Sequence, residues 1–226
     1  MAARVTIAIT LAFETAPSVA GAGASGSRAD RAVQRNARGQ FIIPGSQVKG
    51  KLRHACEQLL RAAGCPVCHS PRAETMCPND CAVDPPCPIC KIFGNAALPC
   101  PLKFQDLLWQ GDVREGDEPV PASLRAMTSI NRRRRTVEPK RLFVVETVPH
   151  LPALRFANQE AVVGRLDNEA QVRLLLAGFG LITGWGGMKS RGLGWADAKN
   201  VEIAATYDGK EVKPDRWNEV KQLWSS

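Results

Sequence analysis

Phe41-Ile42-Ile43-Pro44-Gly45-Ser46, followed by a periodic run to Ala63, constrains this chain more than any other stretch. The bulky residues read as a strand end, Pro-Gly as a tight turn, and Ser46 as a helix N-cap accepting a bond from an orphan N–H. Val48, Leu52, Ala55, Leu59 and Ala63 then recur at three- and four-residue steps, the stripe of a buried helix face, and Gly64 supplies a left-handed stop. Lys49, Lys51 and Arg53 crowd the first two turns, where the helix dipole disfavours cations. An anion held at that end would account for them, because helix N-termini and cations both bind phosphate. A solvated basic face accounts for them as well.

Upstream, Val5, Ile7, Ile9, Leu11 and Phe13 alternate as a half-buried strand does, and Thr6, Thr10 and Glu14 interrupt what would otherwise pass for a signal peptide. No apolar run is long enough to span a bilayer, so the segment reads as the first strand of a cytoplasmic protein. Further on lie a strand from Arg141 to Val148 and an extended run near Leu154 to Val163. A helix capped by Asp167 follows, with Val172, Leu175, Leu176 and Phe179 on its apolar side, and then a strand from Trp195 to Ile203. Trp217, Val220, Leu223 and Trp224 form a short amphipathic helix. The fold class is α+β. A chain of 226 residues, 44% of them apolar, suits a single domain, 1–226, that carries insertions.

One insertion is residues 64–101, dense in Cys and Pro. Cys65-Pro-Val-Cys68 and Cys87-Pro-Ile-Cys90 are two C-x2-C pairs whose separation fits a four-thiolate zinc site. Each C-x2-C turn puts two sulfurs on one side, and two such turns complete a tetrahedron. Cys77 and Cys81 lie between the pairs and can replace a member, His69 less readily, while Cys56 and Cys100 read as packing residues. Cytosolic thiols stay reduced, which argues against a disulfide cluster. With four thiolates the zinc would be structural, leaving no open position for water.

A net charge of +8 and a pI near 9.3 point towards a polyanion. Seven Phe and one Tyr argue against extensive base stacking and for backbone recognition by cations and main-chain N–H groups. Between Glu14 and Phe41 runs a Gly/Ala/Ser loop with Arg28, Arg31, Arg35 and Arg38, expected to be mobile until a ligand arrives. Asp30 is its sole carboxylate, either a charge-balancing surface group or a catalytic acid on a phosphate-binding loop. Arg132, Arg133, Arg134 and Arg135 sit in a hairpin or thumb over 128–150, where they line a groove or form a solvated tip. The stretch 184–194 holds five glycines with Lys189, Ser190 and Arg191, and Gly186 and Gly187 there suit close approach of backbone N–H groups to phosphates. Two look-alikes fail. Leu52 stands where a nucleotide-binding P-loop needs Ser or Thr, and Lys189 where a dinucleotide fingerprint needs its third glycine.

Ile43-Pro-Gly-Ser46 with Lys49-Gly-Lys-Leu-Arg53, then Cys87-x2-Cys90-x2-Phe93-Gly94, then Gly186-Gly187-x2-Ser190-Arg191-Gly192-x-Gly194 together resemble the RAMP (repeat-associated mysterious protein) superfamily. Arg141-Leu-Phe-x2-Glu146-x-Val148 resembles the strand after that family's thumb. The match is nearest to the backbone subunits of type III CRISPR effector complexes. It implies a ferredoxin-like fold related to the RNA-recognition motif, with a zinc knuckle and a thumb as insertions. It also implies stacking along CRISPR RNA beside other RAMP subunits and a large subunit, with cleavage of complementary target RNA. The family's catalytic Asp precedes the Pro-Gly-Ser turn, a place that Asp30 alone fills here; Arg31-Ala32 follow it where many members have Asn-Pro. Asp30 would then take a proton from the attacking 2′-hydroxyl or help position Mg²⁺ or another divalent ion. A non-catalytic RNA-binding scaffold of the same fold is the competing expectation.

Overall fold

The computed structural model describes residues 2–20, 29–79, 86–111, 120–149, 154–196, 198–213, 217–222 and 224. Strand β1 (Ala3–Ala12) alternates as its sequence predicts, with Val5, Ile7, Ile9 and Leu11 buried and the residues between them partly exposed. It is followed by β2 (Ile42–Ile43), α1 (Gly45–Ala62), α2 (Pro88–Phe93), β3 (Leu102–Phe104) and β4 (Leu107–Trp109). Next come β5 (Ser123–Met127), β6 (Ile130–Asn131), β7 (Thr136–Val137), β8 (Phe143–Thr147) and β9 (Arg155–Leu166). The chain closes with α3 (Glu169–Gly180), β10 (Val201–Tyr207), β11 (Lys210–Val212) and α4 (Trp217–Gln222).

The main sheet runs β11-β10-β1-β9-β4-β2, with β3 also paired to β9, and every pairing is antiparallel. With β3 and β4 counted as one interrupted strand, β1-α1-β3/β4-β9-α3-β10 is a βαββαβ unit in the ferredoxin-like spatial order 4-1-3-2. Helices α1 and α3 pack on each other: the Cys56 thiol donates to the Leu174 carbonyl at 3.6 Å, and a Cβ at Gly178 would sit 2.8 Å from its sulfur. The predicted α1 stripe is buried through Leu59, together with Cys56 and Leu60, and Val172, Leu175 and Phe179 of α3 are buried as well. Burying each large side chain of this seam stabilises the fold by ~1.5–3 kcal/mol, and Leu52→Ala would cost about 2–5 kcal/mol.

Several boundaries differ from the sequence reading. Helix α1 starts at Gly45, so Pro44 is the N-cap and Ser46 lies inside the first turn. Proline's fixed φ suits that entry, and the orphan N–H of Gly45 is taken by a distant carboxylate, Asp106 Oδ1, at 2.8 Å. The cap of α3 is Asn168, one residue after Asp167; its side chain accepts from the Gln171 N–H, and Gln171 Oε1 accepts from the Asp167 N–H. The last core strand begins at Val201, because Trp195 spends its backbone on Thr15 Oγ1 and on a bridge to Gly184.

The described part of the arginine-rich loop is hydrogen-bonded to β8 and to the segment after β1. Asp30 N–H donates to the Val144 carbonyl, Glu146 N–H to the Arg31 carbonyl, and Gln34 N–H to the Val19 carbonyl. Arg28 and its neighbours lie outside the described residues. The thumb is a hairpin that reaches back to Ser123, since β5 pairs with β8 along Ser123–Met127 and β6 with β7 beyond it. No helix among the described residues is long and apolar enough to cross a membrane.

Candidate functional site

Four buried cysteines, Cys68, Cys77, Cys87 and Cys90, hold their sulfurs within 4.8 Å of one another. Cys87 caps α2 and Cys90 lies in its first turn, so that short helix aims both thiols at one point. The Sγ of Cys68 is 3.4 Å from that of Cys90 and 3.6 Å from that of Cys87. A tetrahedral zinc with Zn–S of ~2.3 Å holds its sulfurs about 3.8 Å apart, so the cluster fits such an ion with little adjustment. Donors point at the sulfurs as they would at thiolates. Cys87 N–H reaches Cys77 Sγ at 3.4 Å, Asn95 Nδ2 reaches Cys90 Sγ at 3.3 Å, and Arg53 Nη2 reaches it at 3.8 Å.

Cys65, which the pair spacing placed among the ligands, is not in this group. Its thiol donates to the Trp224 carbonyl, and Cys77 takes the fourth corner. Spacing favoured the C-x2-C partner, but Cys65 directly follows the α1 stop and faces the C-terminal segment instead. His69 is exposed and outside the cluster, and Cys81 lies outside the described residues.

The basic residues of α1 divide between two faces. Lys49 holds its ammonium 6.0 Å from the Phe104 ring. Arg53 is committed to the protein: it donates to Glu57 Oε1 at 2.9 Å, to the Gly94 carbonyl at 2.8 Å and towards Cys90. Burial works against its charge, but Glu57 and Cys90 more than offset that and raise its pKa. Glu57, 3% exposed, also accepts from Ser70 Oγ, so Arg53 and Glu57 clamp the cysteine segment onto α1. The phosphate expected at the helix N-terminus meets a competitor, the Asp106 carboxylate on the Gly45 N–H.

Lys51 turns the other way, towards Lys189 of the glycine loop. Its ammonium is 5.8 Å from the Trp185 ring, and its pKa is lowered to about 8, first by burial and then by Lys189 beside it. Lys51, His54, Gln58, Thr183 and Lys189 line a cavity of about 150 Å³ in which no carboxylate takes part.

The glycines of the loop pack against the segment that follows β1. Gly187 N–H donates to the Ser18 carbonyl at 2.8 Å. Gly186 has φ +76° and a Cβ there would lie 2.5 Å from Ser18 O, so the loop is pressed against the segment that follows β1. Ser190 is exposed. Arg191 donates to Met127 Sδ at 3.4 Å and lies 5.1 Å from the Phe143 ring, which ties the loop to the base of the thumb.

Asp30 is at that same base. Its Oδ2 accepts the Val144 N–H at 2.7 Å, and the side chain is otherwise exposed. Arg31 pairs alongside Val145, and its Nη1 lies 4.0 Å from where a Cβ on Gly187 would be. Arg35 donates to the Gly39 and Val120 carbonyls and stacks 3.8 Å from the Phe41 ring centroid; burial lowers its pKa although Glu146 opposes this. Arg132 and Arg133 are exposed at the thumb tip, opposite the β5–β8 base, where Asn131 Oδ1 accepts from Arg133 N–H and Arg134 pairs with Glu138 at 3.0 Å.

The structure therefore joins Lys51 to Lys189, and it sets Asp30 and Arg191 at the adjoining residues Val144 and Phe143. It separates Arg53 from both sets. Sequence reasoning passed over Asp106, Glu57, His54 and Thr183. The i, i+3 spacing of Lys51 and His54 is a sequence signal that could have marked their shared helix face.

A comparison with curated proteins finds no match. The family model of the RAMP superfamily matches residues 13–197. That span runs from the residue after β1 through the cysteine segment and thumb to the glycine loop. The chain belongs to the RAMP superfamily, a membership that implies a CRISPR-associated RNA-binding subunit.

Proposed function

We propose that this chain is a backbone subunit of a type III CRISPR ribonucleoprotein, binding CRISPR RNA and cleaving complementary target RNA at Asp30. The observation that carries the cleavage reading is the setting of Asp30. One oxygen is fixed by the Val144 N–H at 2.7 Å, and Oδ1 has no hydrogen-bond donor among the described residues. A carboxylate held this way can take the proton of an attacking 2′-hydroxyl as general base. The 2′-oxygen then bonds to phosphorus, the P–O5′ bond breaks, and the 5′-oxygen leaves with a proton from water. Arg31, beside Val145, and Arg191, beside Phe143, are cations that can answer the pentavalent charge.

Among the described residues Asp30 belongs to no cluster of three acids, histidines or cysteines with converging ligand atoms. Zinc suits the cysteine cluster, where it would hold residues 64–101 together as a structural ion. CRISPR RNA, target RNA and neighbouring RAMP subunits are the partners of this reading, and the cytoplasm its compartment.

The scaffold reading is favoured by the same hydrogen bond, which gives Asp30 a structural use. Asp30→Asn separates the two, because an amide oxygen still accepts the Val144 N–H but takes no proton. Single-turnover cleavage of labelled complementary RNA by the assembled complex should slow by about 10²–10⁴-fold, with guide and target binding unchanged. Wild-type cutting speed would leave this subunit as scaffold.

A further inference from the structure

We propose that Glu146 of β8 is a positioning residue, setting the register in which the Asp30 segment lies and so where the Asp30 carboxylate points. The inference rests on the reading of Asp30 as the cleaving group and names the residue that holds it in place. Residues 30–33 run beside β8. Asp30 N–H donates to the Val144 carbonyl at 3.0 Å, Arg31 bridges Val145 in parallel, and Glu146 N–H donates to the Arg31 carbonyl at 2.9 Å. Bonds between backbones do not choose a register, because nearly every residue offers the same two groups. The Glu146 side chain does choose: its Oε2 accepts the Val33 N–H at 3.0 Å. A slip of one residue along β8 would turn Asp30 to the opposite face.

Glu146 is itself firmly placed. Val145 and Thr147 on either side are wholly buried, so the alternation of β8 sends the Glu146 side chain to the other face. Its carbonyl accepts the Ser18 hydroxyl at 2.8 Å, and Ser18, 2% exposed, gives its own carbonyl to the Gly187 N–H. Val33 is 4% exposed, so its N–H has little water to turn to once the Glu146 oxygen is withdrawn. The segment would shift to find a new acceptor, and Asp30, three residues away, would shift with it. Charge is the competing role for Glu146, because it lies close enough to Arg35 to favour that guanidinium's charged form.

Two variants separate reach from charge. Glu146→Gln keeps an oxygen for the Val33 N–H and loses the charge, whereas Glu146→Asp keeps the charge and falls one methylene short. In single-turnover cleavage by the assembled complex, Glu146→Asp should slow the rate by about 10²-fold, the cost of a misplacement of ~1 Å, while Glu146→Gln keeps most of it. The target concentration giving half the maximal rate should not change in either. Combining Glu146→Asp with Asp30→Ala should be no slower than Asp30→Ala alone. Equal rates in the two single variants, a Glu146→Gln slower than Glu146→Asp, weakened target binding, or a further loss in the combination would each overturn the proposal. If the wild-type complex does not cut, or Asp30→Asn cuts at wild-type speed, the cleavage reading fails first. The placement is then tested by amide hydrogen exchange at residues 30–34 of the full chain. Faster exchange in Glu146→Asp than in Glu146→Gln supports it, and identical exchange overturns it.

Discussion

Replacing Cys77 with serine separates the observed cysteine cluster from the one that spacing suggests. Its sulfur is buried, accepts the Cys87 N–H at 3.4 Å, and completes a group of four within 4.8 Å. Structural zinc in small peptides binds with ~10–16 kcal/mol at neutral pH, and that binding is folding free energy. Loss of even a third of it, ~3–5 kcal/mol, lowers Tm by about 6–20 °C in a chain of this size. Among the described residues the Cys65 thiol bonds the Trp224 carbonyl, which a serine hydroxyl can replace, so Cys65→Ser should cost under ~1 kcal/mol. Zinc per chain by elemental analysis, with thermal melts of both variants, decides the matter. We expect Cys77→Ser to lose the metal and melt early while Cys65→Ser keeps both. The reverse pattern would refute the geometric argument, and wild-type protein without zinc would refute the metal.

Arg53→Met leaves buried Glu57 with Ser70 and an Arg61 contact at 3.8 Å, so stability should fall by ~3 kcal/mol in urea titration while the salt slope of RNA binding stays unchanged. Gly186→Ala combines a left-handed φ with a 2.5 Å approach to Ser18 O and should cost about 1–3 kcal/mol; Gly192→Ala, with open space around it, should cost less in the same titration. Lys51 has a lower pKa folded, about 8, than unfolded, so the unfolded chain holds the extra proton between that value and the ordinary lysine range. Stability should therefore rise with pH across that window in wild type, and Lys51→Met should lose the rise in unfolding curves taken from pH 7 to 10.5.

The strands and helices were legible where one face is buried, because alternation in β1 and the α1 stripe are local patterns imposed by a single core. The site was legible only in part, because its geometry depends on partners far along the chain. Asp106 reaches the start of α1 across 61 residues, and Val144 fixes Asp30 across 114. No local pattern announces either contact. Arg53 illustrates the same limit: its position in a basic cluster suggested phosphate, and only the fold reveals the Gly94 carbonyl and Cys90 thiol beside it. The cysteine pairs misled for a related reason, since a C-x2-C turn is sufficient for two ligands but does not exclude a third cysteine nearer in space.

The central claim is that this chain holds RNA by its backbone within a CRISPR ribonucleoprotein. Sequencing the nucleic acid that copurifies with the native complex tests it most directly. The account predicts short RNAs of one repeating origin, carrying varied internal sequences and released by high salt. Preparations that carry no RNA, or that carry one fixed internal sequence, would contradict it.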